Sequence, residues 1–294
     1  MQREGGSTAL FAVLCLGVAF LYIPMIVLVA YSFNASSLVA VWGGFSTRWY
    51  AELLHNDQIL DAAKLSLEIA ATASTAALVL GTLAAIALVR IRKFRGRLLL
   101  TGSVTAPLVM PDIITGITQL LLFVSMTGLF SWPRAQGFTT VVLAHITFCL
   151  AYVTITVQAR LQSADRTLED AAMDLGSGPV EAFVTVTLPI IAPALISAWM
   201  LCVTLSLDDL VISTFVAGPG ATTLPMVIYS KVKLGVSPDM NALASLIIGV
   251  VGVGVILANM LMRRSERLRT QAMQLAVHED APPPDMPVPA PGLA

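Results

Sequence analysis

The sequence predicts an all-α membrane protein with six transmembrane helices and both termini in the cytoplasm, and three observations carry that prediction. The first is composition. Of 294 residues, 56% are hydrophobic and only 12% charged, with a mean hydropathy of +0.82. An ordinary soluble domain carries about 25% charged residues, so this chain has too little charge to cover a water-facing surface. A soluble enzyme is excluded. The second is run length: the apolar residues come in stretches of about twenty, what a helix rising 1.5 Å per residue needs to cross roughly 30 Å of hydrocarbon. The third is where the few cations fall. With the N-terminus inside, the inner segments hold Arg3, the cluster Arg90, Arg92, Lys93, Arg95 and Arg97, then Arg160 and Arg166, and finally Arg263, Arg264, Arg267 and Arg269. The outer segments hold Arg48, Lys64, Arg134, Lys231 and Lys233, so the bias is twelve to five. Positive residues accumulate on the cytoplasmic side, which fixes the orientation.

The first predicted span covers 9–31. It is too long for a signal-peptide core of about 7 to 15 residues, so it reads as a retained helix. Residues 32–69 form an external segment whose Trp42, Trp49 and Tyr50 suit a short interfacial helix. Span two, 70–89, places Ala73, Ala77, Gly81 and Ala85 at four-residue spacing. A stripe of small residues lets a neighbouring helix approach closely, although alanine is common throughout this chain. Span three, 98–124, is interrupted by Pro107 and Pro111, with Asp112 directly after. Proline removes a backbone donor and clashes with the preceding turn, so a bent or discontinuous helix is expected, either as a packed kink or lining a cavity.

Span four, 139–157, contains His145, which reads as a hydrogen-bonded packing residue in preference to a proton carrier. Span five, 190–207, runs into Asp208 and Asp209. A charge at a helix centre costs about 2.5–3.5 kcal/mol on insertion scales, so the pair must find water, a partner or a cation. Either the two mark the solvated outer end of the span, capping a following helix, or they line a transport path. Neighbouring helical positions point about 100° apart, so at most one faces a path squarely. Span six is 242–262. Beyond 270 the chain is proline-rich and poor in large apolar residues, and 270–294 reads as a disordered cytoplasmic tail. Cys15, Cys149 and Cys202 lie in apolar runs, far apart in sequence, as buried small residues. Glu68, Lys231 and Lys233 have solvated or interfacial roles by default, and His55 and His278 carry no signal.

The loop 158–189 is the most informative stretch. Glu169 and Asp170 sit where they complement the positive end of a helix dipole. Gly176 suits the left-handed residue that ends a helix, and Pro179 can open the next. The prediction is helix, tight turn, helix. Ala171 and Ala172 leave room to sit deep in a partner's groove, and Met173 and Leu175 supply apolar anchors.

This loop resembles that of ABC importer membrane subunits, which carry Glu-Ala-Ala, three residues, Gly, nine residues, Ile, any residue and Leu-Pro. Here Asp170-Ala171-Ala172 is followed by three residues and Gly176, then nine residues later by Val186, Thr187 and Leu188-Pro189. Asp170 replaces Glu and Val186 replaces Ile; the adjacent Glu169 can supply the longer carboxylate. Ser206-Leu207-Asp208-Asp209-Leu210-Val211-Ile212-Ser213, Gly218-Pro219-Gly220, Thr222-Thr223-Leu224-Pro225 and Gly235-Val236-Ser237-Pro238 are similar to the spermidine/putrescine importer permeases, of the kind of the second of their two membrane subunits. The likeness runs from the first span to about Arg269, making 1–269 one permease domain. It implies the type I ABC importer (MetI-like) permease fold in the bacterial inner membrane. It also implies a homologous second permease as heterodimer partner, two copies of a cytoplasmic ATPase docked on the coupling loop through Glu169, Asp170, Ala171, Ala172, Gly176, Leu188 and Pro189, and a periplasmic polyamine-binding protein. Lipid surrounds the chain, and nucleic acid is not among the implied partners.

A P-loop needs Gly-Lys followed by Ser or Thr, and none of Lys64, Lys93, Lys231 or Lys233 follows a glycine. The chain is therefore expected to be non-catalytic and to bind no cofactor, with ATP and Mg held by the partner ATPase. Asp208, Asp209 and Asp112 are the candidates for the path of a cationic substrate. An ABC permease for another small solute is the nearest alternative. An ion-coupled secondary transporter suits the intramembrane acids but leaves the structured loop without a task. A membrane-embedded enzyme has no His-Glu-x-x-His, Gly-x-Ser-x-Gly or Cys/His constellation behind it.

Overall fold

The computed structural model describes residues 4–260, except 39, 40, 92, 236, 254, 255 and 257–259. The helices are α1 (Glu4–Tyr31), α2 (Arg48–Leu54), α3 (Asp57–Arg90), α4 (Arg97–Val109), α5 (Asp112–Phe130), α6 (Phe138–Ser163), α7 (Thr167–Asp174), α8 (Pro179–Ala182), α9 (Leu188–Asp208), α10 (Val211–Val216), α11 (Leu224–Leu234) and α12 (Pro238–Val253). A π-helical turn, Phe183–Thr187, joins α8 to α9. Among the described residues, five helical runs are long and apolar enough to cross a membrane: Leu10–Tyr31, Asp57–Arg90, Asp112–Phe130, Phe138–Ser163 and Pro179–Asp208. The chain divides into two compact units, one holding the residues up to Tyr50 and from Pro238, the other Ala51–Ser237.

In the first unit α1 is apolar on every side and exposes Leu10, Phe20 and Leu21 by 66–75%. A helix apolar all round requires lipid or protein around it. After it the chain turns around Asn34, which is 1% exposed. Its side-chain oxygen accepts from the Gly43 and Ser36 amides at 2.7 and 3.1 Å, and its amide nitrogen donates to the Val41 carbonyl at 2.7 Å. The Trp49 indole donates to the Asn34 carbonyl at 2.7 Å. One short polar side chain thus satisfies the backbone that an irregular segment leaves open.

The core of the second unit is α3, α6 and α9. Ala77 and Ala85 of α3 pack with Cys149, Val153, Val157 and Leu161 of α6 and with Ile191, Ala198 and Cys202 of α9. Ala73, Ala77, Gly81 and Ala85 are all buried, and a Cβ built on Gly81 would stand 2.7 Å from the Val153 side chain. The small-residue stripe is therefore the surface on which α6 lies. Cys149 and Cys202, distant in sequence, meet at the α6–α9 contact, each thiol aimed at the other's carbonyl at 3.7 and 3.5 Å. Cys15 is exposed on α1, so burial holds for two of the three cysteines.

Several helix limits differ from the sequence prediction. Span two is part of a 34-residue helix that starts at Asp57, capped by Asn56, whose side chain accepts from the Ile59 amide. Hydropathy cannot see the charged first turns, Asp57 to Glu68, as helix, so they read as loop. Span three is two helices, with Met110 and Pro111 extended between them at ψ 135° and 140°. Pro111 lacks an amide hydrogen and pushes Met110 out of the helical region. Span four extends to Ser163, and span five is the later part of the run from Pro179. Pro189 and Pro193 lie in that run without the hydrogens that continue a regular ladder, and the π turn sits immediately before them. The predicted sixth span is described as helix through Val253, and the tail 270–294 lies outside the described residues.

Candidate functional site

Two places combine exposed backbone features with chemistry. The first is the loop between α6 and α9. Its helix α7 starts where the Asp165 carboxylate accepts from the Thr167 amide at 2.9 Å. That hydrogen bond holds the Asp165 carboxyl below the usual carboxylate range. The helix ends at Gly176, whose φ is +100°. The Gly176 amide bonds the Met173 carbonyl at 3.0 Å, and the Ser177 amide bonds that of Ala172 at 3.1 Å. This pair is the Schellman closure, which needs a left-handed residue at the position of Gly176. Pro179 opens α8, so the stretch folds as helix, tight turn, helix.

No residue of α7 is buried. Leu168, Met173, Leu175 and Val180 are exposed by 53, 38, 90 and 75%. Asp170 and Ala171 also face outward, Ala172 partly so. Glu169 points the other way: its carboxylate is ion-paired with Arg90, the last residue of α3, and accepts from the Thr187 hydroxyl at 2.9 Å. Leu188 packs against the core, and Pro189 sits in the first turn of α9. Of the loop residues singled out in the sequence, Asp170, Ala171 and Ala172 thus present a surface, Gly176 shapes it, and Glu169 and Leu188 fasten it from behind.

The second place is a cavity of about 220 Å³ lined by Pro107, Asp112, Phe148, Tyr152, Leu205, Asp208, Asp209, Leu210, Val211 and Ile212. It brings together two chain breaks. One is between α4 and α5, where Asp112 begins α5; the other is between α9 and α10, where Asp208 ends α9. Both carboxylates are exposed. The exposed carboxylates of Asp112 and Asp208 give the cavity a field that favours cations, while the negative end of α9 and the positive ends of α5 and α10 meet there and oppose one another. Phe148 and Tyr152 add aromatic rings, whose faces also attract cations. Among the described residues its lining includes no Lys or Arg.

Asp208 and Asp209 divide their roles. The Asp209 carboxylate accepts from the Ser213 amide and hydroxyl, both at 2.7 Å, and from the Ile212 amide at 3.2 Å, so it caps α10. It also lies 3.2 Å from His145 Nε2. The side chains of Asp209 and His145 are 9% and 1% exposed. Since a carboxylate only accepts, Nε2 carries the hydrogen, and Nδ1 lies within hydrogen-bond distance of the Ser206 hydroxyl at 2.6 Å. Asp208 has no such ties and opens to the cavity.

Sequence reasoning missed Arg90, Thr187, Ser206, Ser213, Phe148 and Tyr152, and placed His145 only as hydrogen-bonded. Arg90, Thr187 and Ser206 meet partners 79, 18 and 61 residues away, which no local pattern marks, whereas Ser213 lies only four residues from the Asp209 it binds. Among the described residues no three His, Cys, Asp or Glu side chains gather to hold a metal ion.

Comparisons with known proteins bear on the family and the fold. The family described as "Binding-protein-dependent transport system inner membrane component" matches residues 77–271. The putrescine transport system permease protein PotI of Escherichia coli (strain K12) is 55% identical over 264 residues, covering 90% of this chain and 94% of its own. The spermidine/putrescine transport system permease protein PotC of the same strain is 40% identical over 266 residues, covering 90% and 95%. Among solved structures, a chain of a bacterial ABC transporter that imports the acidic polysaccharide alginate superposes with a TM-score of 0.66 at 17% identity, covering 88% of this chain and 94% of that one. At that identity the likeness shows the fold alone, which is the type I importer permease fold. Helices apolar enough to cross a membrane, a Gly-closed surface helix in the loop before α9 and a family match over residues 77–271 lead to one assignment: this chain belongs to the binding-protein-dependent transport system inner membrane components.

Proposed function

We propose that the chain is a membrane permease subunit of an ABC importer that carries polyamines, putrescine or spermidine, across the inner membrane. The observation that carries this reading is the cavity in which Asp112 and Asp208 meet beside Phe148 and Tyr152. An alkyl diammonium ion asks for that combination: carboxylates for its charged ends, apolar and aromatic walls for its methylenes, and no competing cation. The transport systems after which PotI and PotC are named support the same cargo. The wall chemistry disfavours anionic solutes, and the outward α7 surface favours an ATP-driven machine over an ion-coupled carrier, which has no use for a docking helix.

In this reading α7, with Asp170, Ala171 and Ala172, seats in a cytoplasmic ATPase present in two copies, which holds the ATP and Mg. A homologous permease completes the path, and a periplasmic binding protein delivers the polyamine. ATPase closure moves α7, the paired permeases open outward, and Asp208 and Asp112 receive the cation. Hydrolysis reverses the movement. The test is ATP hydrolysis and uptake by the complex purified through this chain and placed in liposomes. Putrescine or spermidine with the binding protein should stimulate both, and an anionic solute neither. Uptake that persists in vesicles stripped of ATPase but holding a proton gradient contradicts the reading.

A further inference from the structure

None of the residues of α7 is buried, and its packing runs to α8 and the π-helical turn. Among the described residues, one carboxylate ties it by its side chain to α3 and to that turn. Glu169, in the first turn of α7, is ion-paired with Arg90 at the end of α3, and its Oε2 also accepts from the Thr187 hydroxyl at 2.9 Å. The Arg90 and Glu169 side chains are 18% and 19% exposed, and Thr187 is 3% exposed. Thr187 closes the π-helical turn that leads into α9, the helix ending at Asp208. Single π turns inside helices recur at functional positions because they displace one residue from the regular ladder. One oxygen therefore joins the docking helix, the stripe-bearing helix of the core and the helix that carries the cavity's carboxylate.

We propose that Glu169, Arg90 and Thr187 form a latch through which movement of α7 reaches α3 and α9, Arg90 and Thr187 acting as positioning residues for transport. The proposal rests on the reading of α7 as the ATPase-docking element. It takes Glu169 away from the ATPase surface and makes it an internal strut: exposed α7 side chains meet the partner, and Glu169 passes the displacement inward. A partly buried carboxylate with two hydrogen-bond donors suits this task because charge-assisted hydrogen bonds are directional and roughly twice as strong as neutral ones.

The test uses the complex purified through this chain, in liposomes, and reads three quantities: ATPase bound per permease, ATP hydrolysed, and polyamine taken up per ATP. In Arg90→Ala and Glu169→Gln the bound ATPase should stay at the wild-type ratio while uptake per ATP falls about tenfold, within the usual range of coupling between sites. Arg90→Lys should recover most of it. The double variant should be no worse than either single one, since both remove the same link. Wild-type uptake per ATP in both single variants overturns the latch. So does loss of bound ATPase in Glu169→Gln alone, which would place Glu169 against the partner. If Arg90→Ala fails to assemble, Thr187→Val, which removes only a hydroxyl, decides: reduced uptake per ATP supports the latch, and wild-type uptake per ATP overturns it. A wild-type complex that carries no ATPase removes the underlying reading, and the latch falls with it; a failed latch with ATPase still bound leaves that reading intact.

Discussion

Gly176 offers the sharpest perturbation of the surface proposed to seat in the ATPase. Its φ is +100°, and a Cβ built there meets nothing within 4 Å. Substitution therefore costs backbone strain and no clash. A non-glycine residue in the left-handed region costs about 1–2 kcal/mol, with asparagine partly exempt because its side chain bonds locally. A β-branched residue is a stronger outlier there. Helix α7 has only 8 residues and no buried face, so nothing offsets that strain if the Schellman closure at Met173 and Ala172 is lost. A cost of 1–2 kcal/mol lowers the folded-to-unfolded ratio of the turn by about 5- to 30-fold. If the ATPase binds only the folded turn, its apparent affinity falls by up to that factor, reached where the free turn is marginally folded. The assay titrates purified ATPase onto permease complexes carrying Gly176→Asn, Gly176→Ala or Gly176→Val. Asparagine should bind within a few-fold of wild type, alanine more weakly by up to about 30-fold, and valine more weakly still. Equal, wild-type binding by all three refutes the reasoning. Asparagine as poor as valine places the effect in side-chain bulk at the docking surface, and refutes the strain argument too.

Three further outcomes follow from the geometry. Gly81→Val puts branched bulk where a single Cβ already stands 2.7 Å from Val153, and overpacking of that kind costs about 1–3 kcal/mol, read as a lower melting temperature of the detergent-solubilised protein. Asp209→Asn replaces the charged cap of α10 that Ser213, Ile212 and His145 share, and hydrogen bonds to charged groups are worth about 1.5–3 kcal/mol, so this variant should melt earlier while Asp208→Asn does not. Asp165 titrates below the ordinary carboxylate value because the Thr167 amide binds its ionised form. Its support of the first turn of α7 is present above the unfolded pKa and is lost as pH falls through the lowered folded value. Asp165→Ala should consequently loosen that turn at pH 7 and change nothing at a pH below the folded value, as measured by proteolysis of the loop.

What the sequence makes legible here is what depends on neighbours along the chain. Pro107 and Pro111 announce the break between α4 and α5 because proline acts on its own backbone and on the residue before it. Gly176 and Pro179 announce a turn for the same reason. The roughly 100° between neighbouring helical positions says that at most one of Asp208 and Asp209 faces a path squarely, although both line the cavity. Which of them is turned inward depends on His145, about 64 residues earlier, and on where α6 lies against α9. Likewise Glu169 reads as a surface acid until Arg90, 79 residues away, is seen beside it. Hydropathy located the apolar parts of the helices and missed the charged start of α3, because a helix continues through polar residues where an index of apolarity does not.

In the proposed cycle the carboxylate of Asp208, freed by the anchoring of Asp209, receives the cationic substrate in the cavity with Asp112. Putrescine uptake by the reconstituted complex at subsaturating substrate tests it most directly, comparing Asp208→Asn with wild type at matched protein and ATPase content. Loss of one carboxylate–ammonium contact of about 1.4 kcal/mol corresponds to about a tenfold drop. The account predicts that drop with an unchanged melting temperature. Wild-type uptake by Asp208→Asn would contradict it.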